Sequence, residues 1–430
     1  MPTEEKMNID ERYKYLRLMK KRYVQAGRKG KSQLLDEMEA VTGLRRKSLI
    51  RRLNSDLKRK TRSRERSETY GPEVDDALRV IDESFDYICA ERLTPNLVWM
   101  ARHLGAHGEL RVTPSLLEQM ERISVSTVRR RQRRIRQSLP IPHLPRKKPK
   151  PSQFADDIPM LRLPWDLSEP GHFEVDLVHH CGRSTRGEYM CTFQMVDVLT
   201  GWSERVAVLG RSYLVMEDAF HRVLARLPFP ILEIHPDNGS EFINYHMLRF
   251  WGDILQGVDI SRSRPYHKND NPRVEQKNFT LVRAYLGDDR LDSVVQVIAT
   301  NELYDKMWLY YHLFQPVMHL VEKEIVREDG QIVRVKRRYD RARPPFDRLC
   351  ETEAILPQHR EQLERLRDQI NPRQLRQAIY DDIDRIFALP GVTPGETENV
   401  YLTLIDNLEP KEGTINLLDL GFNRTPMKSG

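Results

Sequence analysis

The chain has 430 residues, 39% hydrophobic and 31% charged, with 70 Lys and Arg against 63 Asp and Glu for a net charge of +7, too long for one ordinary core and better suited to several charged modules around one well-packed one. No run of eighteen apolar residues occurs and MPTEEKMNID lacks the apolar stretch of a secretory signal, which argues against a membrane partner and predicts a soluble, cytoplasmic protein. Cys89, Cys181, Cys191 and Cys350 lack paired spacing and His179-His180-Cys181 has no second ligand pair, which argues against both a disulfide framework and zinc.

The positive charge is clustered. Eleven Lys or Arg fall between Arg45 and Arg66 and another eleven between Glu121 and Pro151, and polyanion binding should begin at those clusters. The first lies in an N-terminal module, residues 1–67. Ser32 to Asn54 reads as a helix-turn-helix: a stripe of Leu34, Leu35 and Met38, a break at Thr42-Gly43, then the basic helix RRKSLIRRLN. In that motif the start of the second helix meets base edges in the major groove while flanking cations hold phosphates. Arg45, Arg46 and Lys47 are thus candidate base readers, and Arg51 and Arg52 candidate backbone contacts. A solvated basic helix in a small bundle would show the same pattern.

A charged connector leads into a second helical block, residues 68–138, in which Val80, Phe85, Ile88, Val98 and Met100 can form a small core. Its end, LLEQMERISVSTVRRRQRRIRQS, repeats the theme of a short helix, a break near Ser124 and a basic helix. Six arginines from Arg129 to Arg136 cannot share one helix face. Arg129, Arg130 and Arg133 are taken as phosphate contacts of a second DNA-binding domain, with a solvated helix as the alternative. Residues 139–164, with LPIPHLPRKKPKPSQFAD at their start, form an extended Pro/Lys-rich linker.

Residues 165–300 read as strand 172–180, strand 188–198, strand 202–209, helix 213–226, strand 231–236, helix 240–252, strand 259–264 and helix 271–286. A three-strand meander followed by alternating helix and strand predicts a mixed α/β sheet of five strands. Within it stand three acids. Asp176 lies in GHFEVDLV, where Phe173, Val175 and Leu177 alternate with Glu174 and Asp176, so period two puts the acids on one face. Asp237 follows the apolar run Ile231 to Ile234 and precedes the turn signal Asn238-Gly239, which is the end of a strand. Glu275 falls about one turn into a helix started by Asn271 as N-cap and Pro272 as first residue.

Asp176 and Asp237 are 61 residues apart and Asp237 and Glu275 are 38 apart, enough intervening structure for all three to meet. Hard divalent cations prefer carboxylate oxygens, and Mg²⁺ takes few protein ligands because it keeps water and phosphate oxygens. Each acid also has an ordinary reading: a strand acid paired with an Arg, a turn residue, and compensation of a helix dipole. Asp197 in VDVLTGW is read as a structural turn acid and Glu174 as a neighbour of the site, not a ligand. Lys268, Asn269, Gln276, Lys277 and Arg283, before or on the Glu275 helix, are candidates for gripping DNA. In residues 301–430, Asp329-Gly330 inside EKEIVREDGQIVRVKRRYD signals a basic hairpin. The stretch 357–389 is helical with a break at Asn371-Pro372, and residues 391–430 are assigned no role.

The motifs VDVLTGW, HPDNGSEFIN and SRPYHKNDNPRVEQKN, at 196–202, 235–244 and 263–278, make residues 171–292 resemble the DDE transposase and retroviral integrase superfamily, and bacterial insertion-sequence transposases within it. The resemblance implies an RNase H-like catalytic core, with Asp176, Asp237 and Glu275 as catalytic triad and ligands of two Mg²⁺, for which Mn²⁺ can substitute. It implies cleavage of DNA at the terminal inverted repeats of a mobile element and joining to target DNA, by a homo-oligomer assembled on double-stranded DNA in the nucleoid. The His and Cys pairs of the retroviral zinc module are not found, so zinc is not carried over. A nuclease of the same fold and a non-catalytic DNA-binding regulator remain open as alternatives.

Overall fold

The computed structural model describes residues 7–57, 69–137, 169–236, 258–261, 272–328, 331–393, 396–408 and 417–422. The chain divides into two compact units, Met1–Thr69 and Tyr70–Gly430.

The first unit contains helices α1 (Ile9–Gln25), α2 (Arg28–Thr42) and α3 (Arg46–Leu53). α1 starts at a capping box: the Asn8 side chain accepts from the Glu11 N–H (2.9 Å), and the Asn8 N–H donates to the Glu11 carboxylate (2.7 Å). α2 stops at Gly43, whose φ of 65° lies in the left-handed region that favours glycine. Residues 43–45 then turn the chain into α3. Leu16 and Met19 of α1, Leu35 and Met38 of α2, and Leu49, Leu53 and Leu57 bury against one another. α3 gives two leucines to that core and leaves Arg45, Lys47 and Arg51 exposed.

The second unit is built on strands β1 (His172–His179), β2 (Met190–Asp197), β3 (Ser203–Leu209), β4 (Glu233–Pro236) and the two-residue β5 (Asp259–Ile260). β1, β2 and β3 form an antiparallel meander. β4 lies parallel to β1 and β5 parallel to β4, giving the order β3-β2-β1-β4-β5. A meander whose first strand is then joined by a parallel strand, reached through helix α9 (Tyr213–Arg226), is the RNase H-like pattern. β2 and β3 are buried along their whole length, as strands covered on both faces must be.

Before the sheet come α4 (Pro72–Ser84), α5 (Ala90–Leu93), α6 (Leu97–Ala106), α7 (Pro114–Arg122) and α8 (Val125–Arg136). After it come α10 (Pro272–Lys277), α11 (Ala284–Leu286), α12 (Val294–Leu313), the hairpin β6 (Leu320–Glu328) and β7 (Gln331–Tyr339), α13 (Pro345–Leu349), α14 (Pro357–Gln369) and α15 (Pro372–Ala388). α15 begins where Asn371 caps the N–H groups of Arg373 and Gln374, at the expected break. The Asp329-Gly330 turn lies outside the described residues, but Glu328 pairs with Gln331 on either side of it. Two of the hairpin's cations are paired across the strands, Lys336 with Glu324 and Arg338 with Glu322.

Helices α4 to α8 share one hydrophobic core with the sheet. The seam is polar as well as apolar: Tyr310 of α12 donates to the Ser84 carbonyl (2.7 Å), and Gln315 donates to that of Phe85 (2.8 Å). At the end of α4, Asp86 and Tyr87 take positive φ values of 55° and 57°, a conformation that costs a non-glycine residue about 1–2 kcal/mol. Asp86 is held there by Arg376 and Tyr380 of α15, each at 2.9 Å.

This packing also accounts for much of the arginine density in α8. Arg131, 7% exposed, and Arg134 both pair with Asp75 of α4. Arg136 pairs with Asp82 at 2.7 Å and Arg129 with Glu91. Arg130 and Arg133 are exposed.

Candidate active site

β1 divides its residues between two environments. Phe173, Val175 and Leu177 enter the core, where Phe173 stacks on Phe229 at 5.8 Å. Glu174 and Asp176 share the other face, as period two requires, and both meet the helix that begins at Pro272. Pro272 has no N–H, so the first donors of α10 are those of Arg273 and Val274, which have no acceptor within the helix. Glu174 Oε2 accepts both, each at 2.8 Å. Among the described residues its Oε1 has no hydrogen-bond partner, and it lies 3.8 Å from Arg273 Nη1. Complete burial lifts the Glu174 carboxyl to a pKa of about 7, against the lowering effect of these donors.

One turn further, Asn278 Nδ2 donates to Asp176 Oδ2 at 2.5 Å, while Asp176 Oδ1 accepts the Leu177 N–H at 2.8 Å. Glu275 sits between these two ties and is exposed. Residues three apart on a helix share a face, so Asn278 in contact with Asp176 brings the Glu275 face of α10 to the same side of β1. The helix then runs through a π-helical turn, Asn278–Arg283, a geometry frequent at functional sites.

Asp237 lies outside the described residues. β4, however, ends at Pro236, and Pro236 is paired in parallel register with Val175. The residue before Asp237 therefore sits beside the residue before Asp176. β4 is braced by polar contacts. His235 Nδ1 is 2.6 Å from Ser261 Oγ, Ser261 donates to Glu233, and Glu233 also meets His172 Nδ1 at 3.0 Å.

Among the other acids, Asp197 is buried and closes the turn after β2. It accepts from the N–H groups of Gly171 (2.8 Å) and Thr200 (2.7 Å) and from the Thr200 hydroxyl (2.6 Å), and burial raises its pKa. That is the structural role expected for it. Glu204, not singled out from sequence, is equally buried and accepts from Trp202, Trp308 and Arg226 at 2.6–2.8 Å. His180 is buried against Thr192 (2.9 Å) and kept neutral, its pKa pushed down to about 3 by burial.

The expected DNA contacts fall into different settings. Arg283 donates to the carbonyl of His179 at the end of β1 (2.7 Å), so it braces the sheet. Lys277 is half-buried, and burial together with Arg92, Arg205 and Arg348 pushes its pKa down to about 7. Gln276 is exposed; Lys268 and Asn269 lie outside the described residues. Arg46 is turned back onto Asp36 and Ser32, and Arg52 lies over the Tyr13 ring.

Among the described residues no three His, Cys, Asp or Glu side chains gather as a metal site. The acids that do converge offer carboxylate oxygens, the donor type Mg²⁺ prefers. The Asp176 carboxylate is oriented by the bonds from Leu177 and Asn278. The fit in donor chemistry is good.

No family model matches the chain. Among solved structures it is similar to the catalytic core domain of BIV integrase (14% identity, 33% of this chain and 83% of that one, TM-score 0.24). It is also similar to the HTLV-2 integrase catalytic core domain in complex with magnesium (17% identity, 34% and 90%, TM-score 0.25). Similarity at this level adds nothing to the strand order itself. Among curated proteins, the uncharacterized protein y4rM of Sinorhizobium fredii is 33% identical over 345 residues, covering 76% of this chain and 91% of the relative. At that identity and coverage, the chain belongs to the same family as y4rM.

Proposed function

We propose that the protein is a DNA transposase of the DDE type, in which Asp176, Asp237 and Glu275 hold two Mg²⁺ for cleavage of DNA and transfer of the freed strand to a target. The observation that carries this reading is the bond from Asn278 to Asp176, which ties the Glu275 helix to β1 beside the strand that ends one residue before Asp237. The motifs DNGSEF and NDNPRVEQKN support it independently.

The chemistry a bound Mg²⁺ pair supplies is activation of a water and then of a 3′-hydroxyl, with stabilisation of the leaving oxygen of an in-line displacement. Asp176 would bind on the buried side and Glu275 on the exposed side, where a DNA phosphate can arrive. Asn278 orients the Asp176 carboxylate through Oδ2. No covalent link between protein and DNA is required. Arg45, Lys47 and Arg51 of the first unit and Arg130 and Arg133 of α8 are exposed cations for reading or gripping the element ends. By the same family resemblance, a homo-oligomer would hold two ends at once.

The test is a strand-transfer assay with Mg²⁺ and a pre-cleaved end from the DNA flanking the protein's own coding region. Joining to a second DNA is expected. Cutting without joining would identify a nuclease of this fold, and neither activity would leave a DNA-binding protein with an inert core.

A further inference from the structure

Glu174 is buried completely, two residues from Asp176 on the same face of β1, and the chemistry described above assigns it no task. A carboxyl in that position is costly unless its oxygens are used. One of them is used twice, by the consecutive N–H groups of Arg273 and Val274 at 2.8 Å. These are the first available donors of α10, and Glu275 is the next residue. A side chain of the sheet thus caps the helix in place of a residue from the helix's own start. Four residues along, Asn278 makes the second tie to β1, through Asp176. Helix and strand are joined at two points that bracket Glu275, so rotation or sliding of α10 that would carry Glu275 away from Asp176 must break one of them.

We propose that Glu174 is a positioning residue for the metal site: by accepting the Arg273 and Val274 N–H groups it sets the advance and rotation of α10, and so the distance at which Glu275 stands from Asp176. This rests on the reading of Asp176 and Glu275 as ligands. What the role requires is an acceptor oxygen at glutamate length. Neither negative charge nor ligation through Oε1, which lies beside Arg273, is required.

Binding of Mn²⁺ to the full-length protein, followed by the loss of the free-ion electron paramagnetic resonance signal, tests this with three variants. Glu174→Gln keeps an acceptor of the same length and should retain most of the parent affinity. Glu174→Asp keeps the charge but is one methylene too short to reach both N–H groups; it should lose about 10- to 100-fold, as changes to groups that orient ligands commonly do. Asp176→Asn should abolish the tight site. The same order, Gln above Asp, should appear in strand joining with Mg²⁺. Glu174→Gln binding as poorly as Asp176→Asn would make Glu174 a ligand and overturn the proposal. So would Glu174→Asp binding like the parent, which would mean that the caps do not control the site. Parent-like binding by Asp176→Asn would instead remove the metal-site reading, and the positioning role with it. Far-ultraviolet circular dichroism on each variant separates these effects from unfolding, and the conservative Gln and Asp changes keep the comparison among folded proteins.

Discussion

Replacing Glu174 with Gln should change how the stability of residues 70–430 depends on pH, and in a direction opposite to that of most carboxylates. The folded protein holds this carboxyl at a pKa of about 7, against a reference of 4.5. Below pH 4.5 the proton is bound in both folded and unfolded chains. Between 4.5 and 7 only the folded chain keeps it, so stability falls as pH rises; above 7 both forms are ionised and the loss is complete. At about 1.36 kcal/mol per pKa unit, the parent should lose roughly 3 kcal/mol across that window relative to a Gln variant, which cannot ionise. Gln retains an acceptor for the two N–H groups, so other contributions cancel in the difference. All five tryptophans lie in residues 70–430, and urea unfolding followed by their emission in metal-free buffer reads this unit. A parent-minus-variant difference that stays flat, or that grows with pH, would refute the reasoning. It would mean that the donors outweigh burial and the carboxylate is already ionised in the folded state.

Asp197→Ala should destabilise the same unit by about 3 kcal/mol, because the Gly171 and Thr200 N–H groups lose their acceptor inside the turn; a urea midpoint equal to that of the parent would contradict it. The arginines of α8 should separate into two classes. Arg131→Ala leaves Asp75 with only the exposed Arg134 and takes the donor from the Tyr70 carbonyl, and should cost about 2 kcal/mol of stability. Arg133→Ala should leave stability within about 0.5 kcal/mol, weaken DNA binding and reduce its log–log salt slope by about 1. Both follow from thermal melts and filter binding at several salt concentrations.

The alternation of residues 172–178 was enough to place Glu174 and Asp176 on one face, and strand spacing was enough to order the meander and the helix before β4. Pro272 marked the start of α10 for the same reason it is useful there, the missing N–H. The partner of Asp176 was not read from the sequence: Asn278 stands three residues after Glu275, but nothing local says that a strand lies against that face. The cap that Glu174 places on α10 joins residues about a hundred positions apart, and no local pattern reports such a contact. The ion pairs of α8 were not legible for a related reason. In sequence all six arginines look alike, yet Arg129, Arg131, Arg134 and Arg136 meet Asp75, Asp82 or Glu91 on helices that precede α8, while Arg130 and Arg133 are exposed. α1 was passed over although Asn8 and Glu11 have the spacing of a capping box. The seam between α4 and α15, with Asp86 held in the left-handed region, depends on tertiary contacts alone. Among the described residues, no helix is long and apolar enough to cross a membrane.

The most direct test of the central claim is strand joining by Asp176→Asn in Mg²⁺, measured beside its affinity for the same element-end DNA. The account predicts DNA affinity equal to the parent's, with cleavage and joining abolished, because one carboxylate oxygen on β1 has been exchanged for an amide nitrogen. Joining at the parent rate with that substitution in place would contradict it.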